Sequence, residues 1–416
     1  MLSTLIYRSH ISDHVLPDHL DYMISHASSK NENASVTGIL LFDGMHFFQL
    51  LEGPEQAISG IFATICKDPR HHNIVKLMHD YAPARRFGKV GMEIFDLRTQ
   101  SEDTVLEAVL NKGTSKYRLT YDDRALQFLC TFVQAREKDN YLDLPPPGLW
   151  CFSPNTPDDN IEVSAFPESQ ELGFTFEPII DPLSLQISSY VAALCGPEGH
   201  SPVSYFSRII EKNIYEADFE AQLLAVTVAN KLGLGDLTLT LKFLPMTLVT
   251  VPDLVRRLLE TIARNGMVPE QITITISENS EKTREDNFAS VIILIKASGM
   301  RLVIDDFGSG SAGLLLLTRF QPEKIMIDKD IIRDIHISGP KQAIVQAIIK
   351  FCSSLEISVI ASGIEKSEEW MWLDAAGISH FQGNLFARPT RNAFPNVNWP
   401  ELANGNNNFG ITQDIV

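Results

Sequence analysis

From about residue 171 the chain alternates short apolar, strand-like runs with longer helical ones, and this alternation constrains the fold more than any other feature. The strand-like runs are TLTLKFL, ITITI, RLVIDD, KIMID and SVIASG, and helical periodicity occupies 252–265, 283–299 and 341–355 between them. Parallel strands need a crossover of a dozen or more residues, usually a helix. The pattern therefore predicts an α/β barrel of the TIM type over 171–400.

The first hundred residues follow a different plan. LSTLIYR at 2–8 alternates as a strand does, and 16–31 reads as an amphipathic helix ending in SSKN. TGILLFDGMHFFQLLEG reads as a hairpin with Asp43-Gly44 at its turn. A helix over 54–67 and strands over 73–82 and 89–97 complete the order βαββαββ. This predicts an α+β ferredoxin-like sandwich over 1–97. Two helices, in SEDTVLEAVL and DDRALQFLCTFVQAREKDN, form a helical extension over 98–141. The proline-rich stretch 142–170 reads as a linker and 401–416, with ANGNNNFG, as a disordered tail. A chain of 416 residues exceeds one compact core, in keeping with this division.

Composition narrows the functional classes. The formal net charge of −17 argues against direct nucleic-acid binding. No apolar run is long enough for a bilayer, and MLSTLIYRSH lacks a signal-peptide layout. The five cysteines, Cys66, Cys130, Cys151, Cys195 and Cys352, form no CxxC pair and no zinc spacing, so a reduced, cytoplasmic protein is expected. His71 and His72 in DPRHHN hint at a metal. Adjacent histidines do not face one way on a regular element, so a solvated loop is the expectation and no metal is assigned.

Five segments of the N-terminal module have specific order and spacing: LIYRS with Tyr7, SSKN with Asn31, VTGILLF, FFQLLEG with Gln49, and RRFGKVGM with Met92. Through them the module resembles the BLUF family of flavin-binding blue-light sensors. The resemblance implies FAD as cofactor, although the residues alone do not separate FAD from FMN. It makes Tyr7 the photochemical donor and Gln49 the amide bridging phenol and flavin. It also has Asn31 gripping the ring edge and puts Met92 on the strand that senses the change. The residue types suit these tasks, because one glutamine amide carries both a donor and an acceptor. Taken singly, a strand tyrosine is usually a core residue and a lone glutamine an exposed one; the ordered set reverses that reading. Two departures are visible. Val90 stands where the family often has tryptophan, and Glu32 where some members have asparagine.

The region 171–400 resembles the EAL family, phosphodiesterases for cyclic di-GMP. FLP at 243–245, IDDFGSG at 304–310, FQPEKI at 320–325, GIE at 363–365 and FQGNLFARP at 381–389 carry the match. The resemblance implies a two-metal site at strand ends, with a water between the metals attacking the phosphodiester. At the matching positions this chain keeps Asp305, Asp306, Glu365 and Gln382. The family's name-giving glutamate is Val191, its phosphate-binding arginine Cys195, and its metal-binding asparagine Lys242. A further metal-binding glutamate is Thr275, and the catalytic lysine is Met326. A unit charge pair at about 4 Å interacts by roughly 4 kcal/mol at an effective dielectric near 20, and against a dication the repulsion is about twice that. An ammonium at 242 therefore disfavours a metal there. Lys242 is expected to pair with Asp305 or Glu365 instead, and the aspartate pair to cap the following loop.

The whole arrangement resembles light-regulated antirepressors of BLUF–EAL build. That resemblance implies a protein that is not an enzyme and that binds a MerR-like transcription repressor, releasing it from DNA on illumination. It leaves room for a homodimer. Two other classes stay open: a light-regulated cyclic di-GMP phosphodiesterase and a non-hydrolysing cyclic di-GMP receptor. The apolar face of DDRALQFLCTFVQAREK is expected to pack on its own sensor sheet rather than serve as a partner surface.

Overall fold

The computed structural model describes residues 1–12, 20–82, 85–87, 91–111, 123–135, 141–146, 148–152, 173–195, 213–278 and 286–402. The chain divides into two compact units. One comprises Met1–Pro146 with Asp334–Ile344, the other Pro147–Arg333 with Val345–Val416. Among the described residues, no helix is long and apolar enough to cross a membrane.

In the first unit, strands β1 (Leu2–Ile11), β2 (Thr37–Phe42), β3 (His46–Pro54), β4 (His71–Ala82) and β5 (Gly91–Asp96) form one mixed sheet in the order 4-1-3-2-5. Helices α1 (Leu20–Asn33) and α2 (Glu55–Ile65) connect strands, and α3 (Glu102–Asn111) and α4 (Arg124–Val133) follow β5. The expected order βαββαββ is thus present, with β5 parallel to β2 and the other pairings antiparallel. At the hairpin tip Asp43 Oδ1 accepts from Met45 N at 2.9 Å and His46 N at 2.7 Å, while Gly44 supplies φ +106°. His71 and His72 open β4, so the loop expected for them is a paired strand end.

Side-chain alternation gives the sheet two different faces. On one, Ile6, Ile39, Leu41, Phe48 and Leu50 pack against Val105 and Val109 of α3 and Ala125, Leu129, Phe132 and Val133 of α4. Asp123 caps α4 by accepting from Ala125 N and Leu126 N. The apolar face of this helix is therefore covered by its own sheet. On the other face, Leu5, Tyr7, Val36 and Leu51 meet Ile58 of α2. The segment Asp334–Ile344 also belongs to this unit; Arg8 donates to Gln342 Oε1 at 3.0 Å, and Lys76 bridges Ser338.

In the second unit, β7 (Gly173–Asp181), β8 (Gln186–Cys195), β9 (Thr238–Leu241), β10 (Ile272–Ser277), β11 (Arg301–Phe307), β12 (Lys324–Ile327), β13 (Ser358–Ala361) and β14 (His380–Phe381) close into an eight-stranded barrel through the β14–β7 pairing. The strand β6 (Trp150–Phe152) precedes them in the chain. Helices α5 (Ile214–Lys231), α6 (Leu254–Arg264), α7 (Asp286–Ala297), α8 (Gly313–Phe320), α9 (Gly339–Ser353, of which Val345 onward belongs to this unit) and α10 (Ser367–Ala375) alternate with the later strands. One feature departs from an all-parallel barrel. β7 runs antiparallel to both its barrel neighbours, as does the short β15 (Thr390–Arg391) to β7. A hairpin of four intervening residues between β7 and β8 is too short for a parallel crossover.

Alternate residues of the barrel strands serve two cores. Ile274, Leu302, Ile304 and Ile325 join the layer beneath the helices, whereas Val191, Val303, Met326 and Ile360 join Ile179 in a separate buried cluster. Trp150 and Phe152, read from sequence as linker, lie in β6, which pairs with β16 (Pro400–Leu402); both rings sit edge-on to Trp370. Apart from its first residues, which lie in β16, the expected disordered tail falls outside the described residues.

Candidate functional site

The first unit contains a cavity of about 440 Å³, lined among others by Tyr7, Asn31, Gln49, Ile61, Arg70 and Met92. Strand register builds its floor: Tyr7 stands opposite Gln49 across β1 and β3, and Gln49 opposite Leu40 across β3 and β2. Three side chains form a continuous polar run. The Tyr7 hydroxyl donates to Gln49 Oε1, and Gln49 Nε2 donates to Met92 Sδ at 3.0 Å. Tyr7 is fully buried, and that burial raises its pKa far above the ordinary phenol value. Burial thus favours the protonated hydroxyl, which is the form that donates to Gln49. Asn31, also buried, donates from Nδ2 to Gly91 O at 3.3 Å, and Ser28 Oγ accepts from Met92 N at 3.0 Å. The four residues singled out in the sequence are thus brought to one wall. Val90 lies outside the described residues.

Gly38 was not singled out, yet the wall depends on it. A Cβ there would stand 2.7 Å from Asn31 Nδ2 and 3.3 Å from Met92 Cγ. Gly38→Ala is expected to displace the Asn31 amide at a cost of about 1–3 kcal/mol, or roughly 5–150-fold in affinity for the flavin that the resemblance implies. Titration of the flavin-free chain would read this directly, and an unchanged dissociation constant would remove Gly38 from the site.

The cavity volume falls in the range of small-molecule sites. Its buried amides offer donors and acceptors to a heteroaromatic ring edge, and Lys30 and Arg70 on the lining suit a phosphate. Asp68 binds Arg70 through both oxygens, which leaves this cation part of a local pair.

The barrel gathers the second set. Lys242, immediately after β9, places Nζ 2.7 Å from Asp305 Oδ2 on β11. Burial opposes the ammonium's charge, but Asp305, with smaller help from Asp306 and Glu177, holds its pKa above the usual lysine value. The pKa of Asp306 is raised too, by burial and by repulsion from Asp305, partly relieved by Lys242, so its charged form is disfavoured. Gln382 donates to Glu177 on β7. Glu365 takes no part in the Lys242 pair and lies 3.7 Å from Arg333 Nη2. Thr275 Oγ1 donates to Leu241 O at 3.2 Å. Val191 and Met326 both lie in the dry cluster with Ile179, Val303 and Ile360. Cys195 is buried, with its thiol pKa raised by that burial and held back by Arg391 beside it.

One expectation is corrected here. The aspartate pair does not cap the glycine loop. Among the described residues, Asp305 Oδ1 accepts from the adjacent Asp306 N, at 3.0 Å, and Glu278 takes the loop, accepting from Gly308 N at 2.5 Å and Gly313 N at 2.8 Å. Asp306 instead adopts φ +53°, a backbone that turns the chain out of β11. Glu177 and Glu278 were missed. The detectable signal at Glu177 was an acidic residue inside the apolar run FTFEPII.

Comparison with known proteins agrees with this geometry. Residues 161–389 match the EAL domain family, and residues 2–93 match the family of sensors of blue light using FAD, BLUF. The chain is 50% identical over 401 residues to the blue light- and temperature-regulated antirepressor BluF of Escherichia coli, covering 96% of this chain and all of BluF. BlrP1 of Klebsiella pneumoniae, solved with manganese and cyclic di-GMP at pH 6, is 40% identical, with a TM-score of 0.88 over 97% of this chain and all of BlrP1. A second BlrP1 structure, with FMN and cyclic di-GMP and no metal ions, superposes with a TM-score of 0.83 at 38% identity, over the same shares of the two chains.

Proposed function

The chain belongs to the EAL family and carries a BLUF module, and from that premise we propose that it is a light-switched antirepressor with a degenerate barrel. In this reading it binds a MerR-like transcription repressor and draws it off DNA in the light. The observation that carries it is the Lys242–Asp305 ion pair at 2.7 Å, which puts a fixed cation where the family's metal ligand would be.

The input side is supported by the Tyr7–Gln49–Met92 run. FAD is the proposed cofactor; when bound it supplies a ring that blue light turns into an electron acceptor. Asn31 and Gln49 would hold its edge, and Lys30 and Arg70 its phosphate end. The buried Tyr7 proton has Gln49 Oε1 as its acceptor. A half-turn of the Gln49 amide exchanges its donor and acceptor ends, so the bonds to Tyr7 and Met92 cannot both persist in the present form. β5, carrying Met92, and the helices α3 and α4 beyond it would pass on the change.

The output side is supported by the chemistry of the barrel. Two metals need several oxygens at once. Here Asp305 is engaged by an ammonium, Thr275 by a backbone carbonyl, and positions 191 and 326 are apolar and buried. This donor set does not fit a two-metal centre, and no hydrolytic step is assigned. The related BlrP1 structures contain cyclic di-GMP, so a nucleotide-dependent barrel is the rival reading.

A pull-down and DNA-release assay with a MerR-like repressor, lit and dark, tests the proposal beside a hydrolysis assay containing manganese. Illumination is expected to change repressor affinity by about 5–150-fold, the range of typical coupling energies of ~1–3 kcal/mol. Metal-dependent linearisation of cyclic di-GMP above blank would overturn it in favour of a phosphodiesterase.

A further inference from the structure

Beside the cavity, whose lining includes His71, strands β1, β3 and β4, the β2–β3 turn and the segment 141–146 bring four imidazoles and two carboxylates together. His10, on β1, is 3% exposed; His46 opens β3, and His72 lies at the start of β4. Ligand atoms of His10, His72 and Asp143 all lie within 4.8 Å of one another. His72 Nε2 and Asp143 Oδ1 are 3.4 Å apart, and His46 Nε2 is 3.1 Å from His10 Nε2. The fourth imidazole, His71, turns instead to Ser9 Oγ at 3.1 Å.

The hydrogen bonds dictate which nitrogens carry lone pairs. Asp43 Oδ2 lies 3.1 Å from His46 Nδ1. Burial works against ionisation of Asp43, but its bonds from His46 and Met45 outweigh this and hold it well below the usual carboxylate range. An ionised carboxylate only accepts, so His46 Nδ1 carries a proton, and in the neutral ring its Nε2 is bare. His10 Nε2 must then donate to it. That leaves His10 Nδ1 bare as well, and this atom is buried with no hydrogen-bond partner.

We propose that His10, His72 and Asp143 hold a divalent transition metal of the zinc class. The arrangement Asp43–His46–His10 supplies the outer support by which carboxylates and imidazoles orient metal-binding histidines. Asn73 Nδ2 does the same for the third ligand, donating to Asp143 Oδ1 at 3.0 Å and also to Leu144 O at 3.3 Å. Ligands of a tetrahedral zinc, each about 2.0–2.1 Å from the metal, stand about 3.3 Å apart. The His72–Asp143 separation already matches, and small rotations of these two solvent-facing side chains close the rest. Two imidazoles and a carboxylate favour zinc over manganese or magnesium. Arg8, stacked over Tyr141 at 4.1 Å, opposes a cation here, and Asp143 favours one. A metal would tie the segment 141–146 to β1, three residues from Tyr7.

The test is equilibrium dialysis of the full-length, chelator-treated flavoprotein against zinc, with cobalt as the spectroscopic probe and manganese as the control. The expected result is one zinc per chain that is lost, or at least ~tenfold weaker, in His72→Ala and separately in Asp143→Asn. Both variants alter solvent-facing side chains, and retained flavin absorbance verifies their fold. Cobalt should give a histidine-ligated absorption spectrum that both variants remove, while any manganese bound by the barrel persists in them. No zinc uptake by the parent, or equal uptake by the variants, overturns the proposal.

Discussion

Gln49→Leu is expected to leave the flavin bound and to abolish the light-induced red shift of its absorption. Leucine preserves the volume of the Gln49 side chain while removing both ends of the amide. Tyr7 then loses its acceptor and Met92 its donor, in a wall where no water need enter. Leaving the buried Tyr7 hydroxyl unpaired costs about 1–3 kcal/mol, which the module should survive. The shift vanishes because leucine has no second hydrogen-bonding arrangement to adopt. Absorption spectra before and after blue light, on protein with verified flavin content, make the measurement. A shift of normal size in this variant would take Gln49 out of the mechanism.

Val191→Glu is expected to be the most destabilising single change at the barrel centre, although it restores the family's name-giving residue. Val191 is 2% exposed and packs with Ile179, Val303, Met326 and Ile360. A carboxylate placed there loses its hydration, so its pKa in the folded state rises by up to ~3–5 units. At pH 8 the carboxylate must be protonated or buried as a charge, and since protonating it from an unfolded pKa of about 4.3 caps the penalty, the cost is about 4–5 kcal/mol at ~1.36 kcal/mol per unit. Because the folded pKa lies above the unfolded one, the penalty is present at high pH. It shrinks as pH falls through the folded pKa and is gone below the unfolded value. Each kcal/mol shifts Tm by about 2–4 °C in a unit of this size, so a drop of roughly 8–20 °C is expected at pH 8 and far less at pH 4.5. Thermal melts followed by circular dichroism would show it. An unchanged Tm would mean that the cluster is wet. Recovery of stability by added manganese would mean that the metal centre survives, and either result would sink the degenerate-barrel reading.

Much of the sensor was legible in the sequence because its signals are local. Period-two alternation and the Asp43-Gly44 turn predict the β2–β3 hairpin, and the order of elements leads to the mixed sheet. Tyr7, Asn31, Gln49 and Met92 were recognisable because each sits in a short segment of characteristic residues. The apolar face of α4 was likewise readable as a surface that must be covered. The antiparallel β7 was not, since the strand-like run alone carries no direction. Neither was the role of Glu278, which reaches a glycine loop some 30 residues further along the chain.

The histidines show the limit most sharply. Read along the chain, His71 and His72 are neighbours in a polar stretch, far from His10, His46 and Asp143. Strand pairing sets His10 opposite both His46 and His72, and only then do their rings come together. What the sequence determined by itself was composition, periodicity and the chemical kind of each side chain, including an ammonium at 242 and apolar groups at 191 and 326. Tertiary structure alone decided that Lys242 meets Asp305 rather than Glu365, and that Val191 and Met326 share one dry layer. The physical reason is that charge pairing and desolvation depend on distances of a few ångströms between residues up to 135 positions apart, and register and barrel closure set those distances.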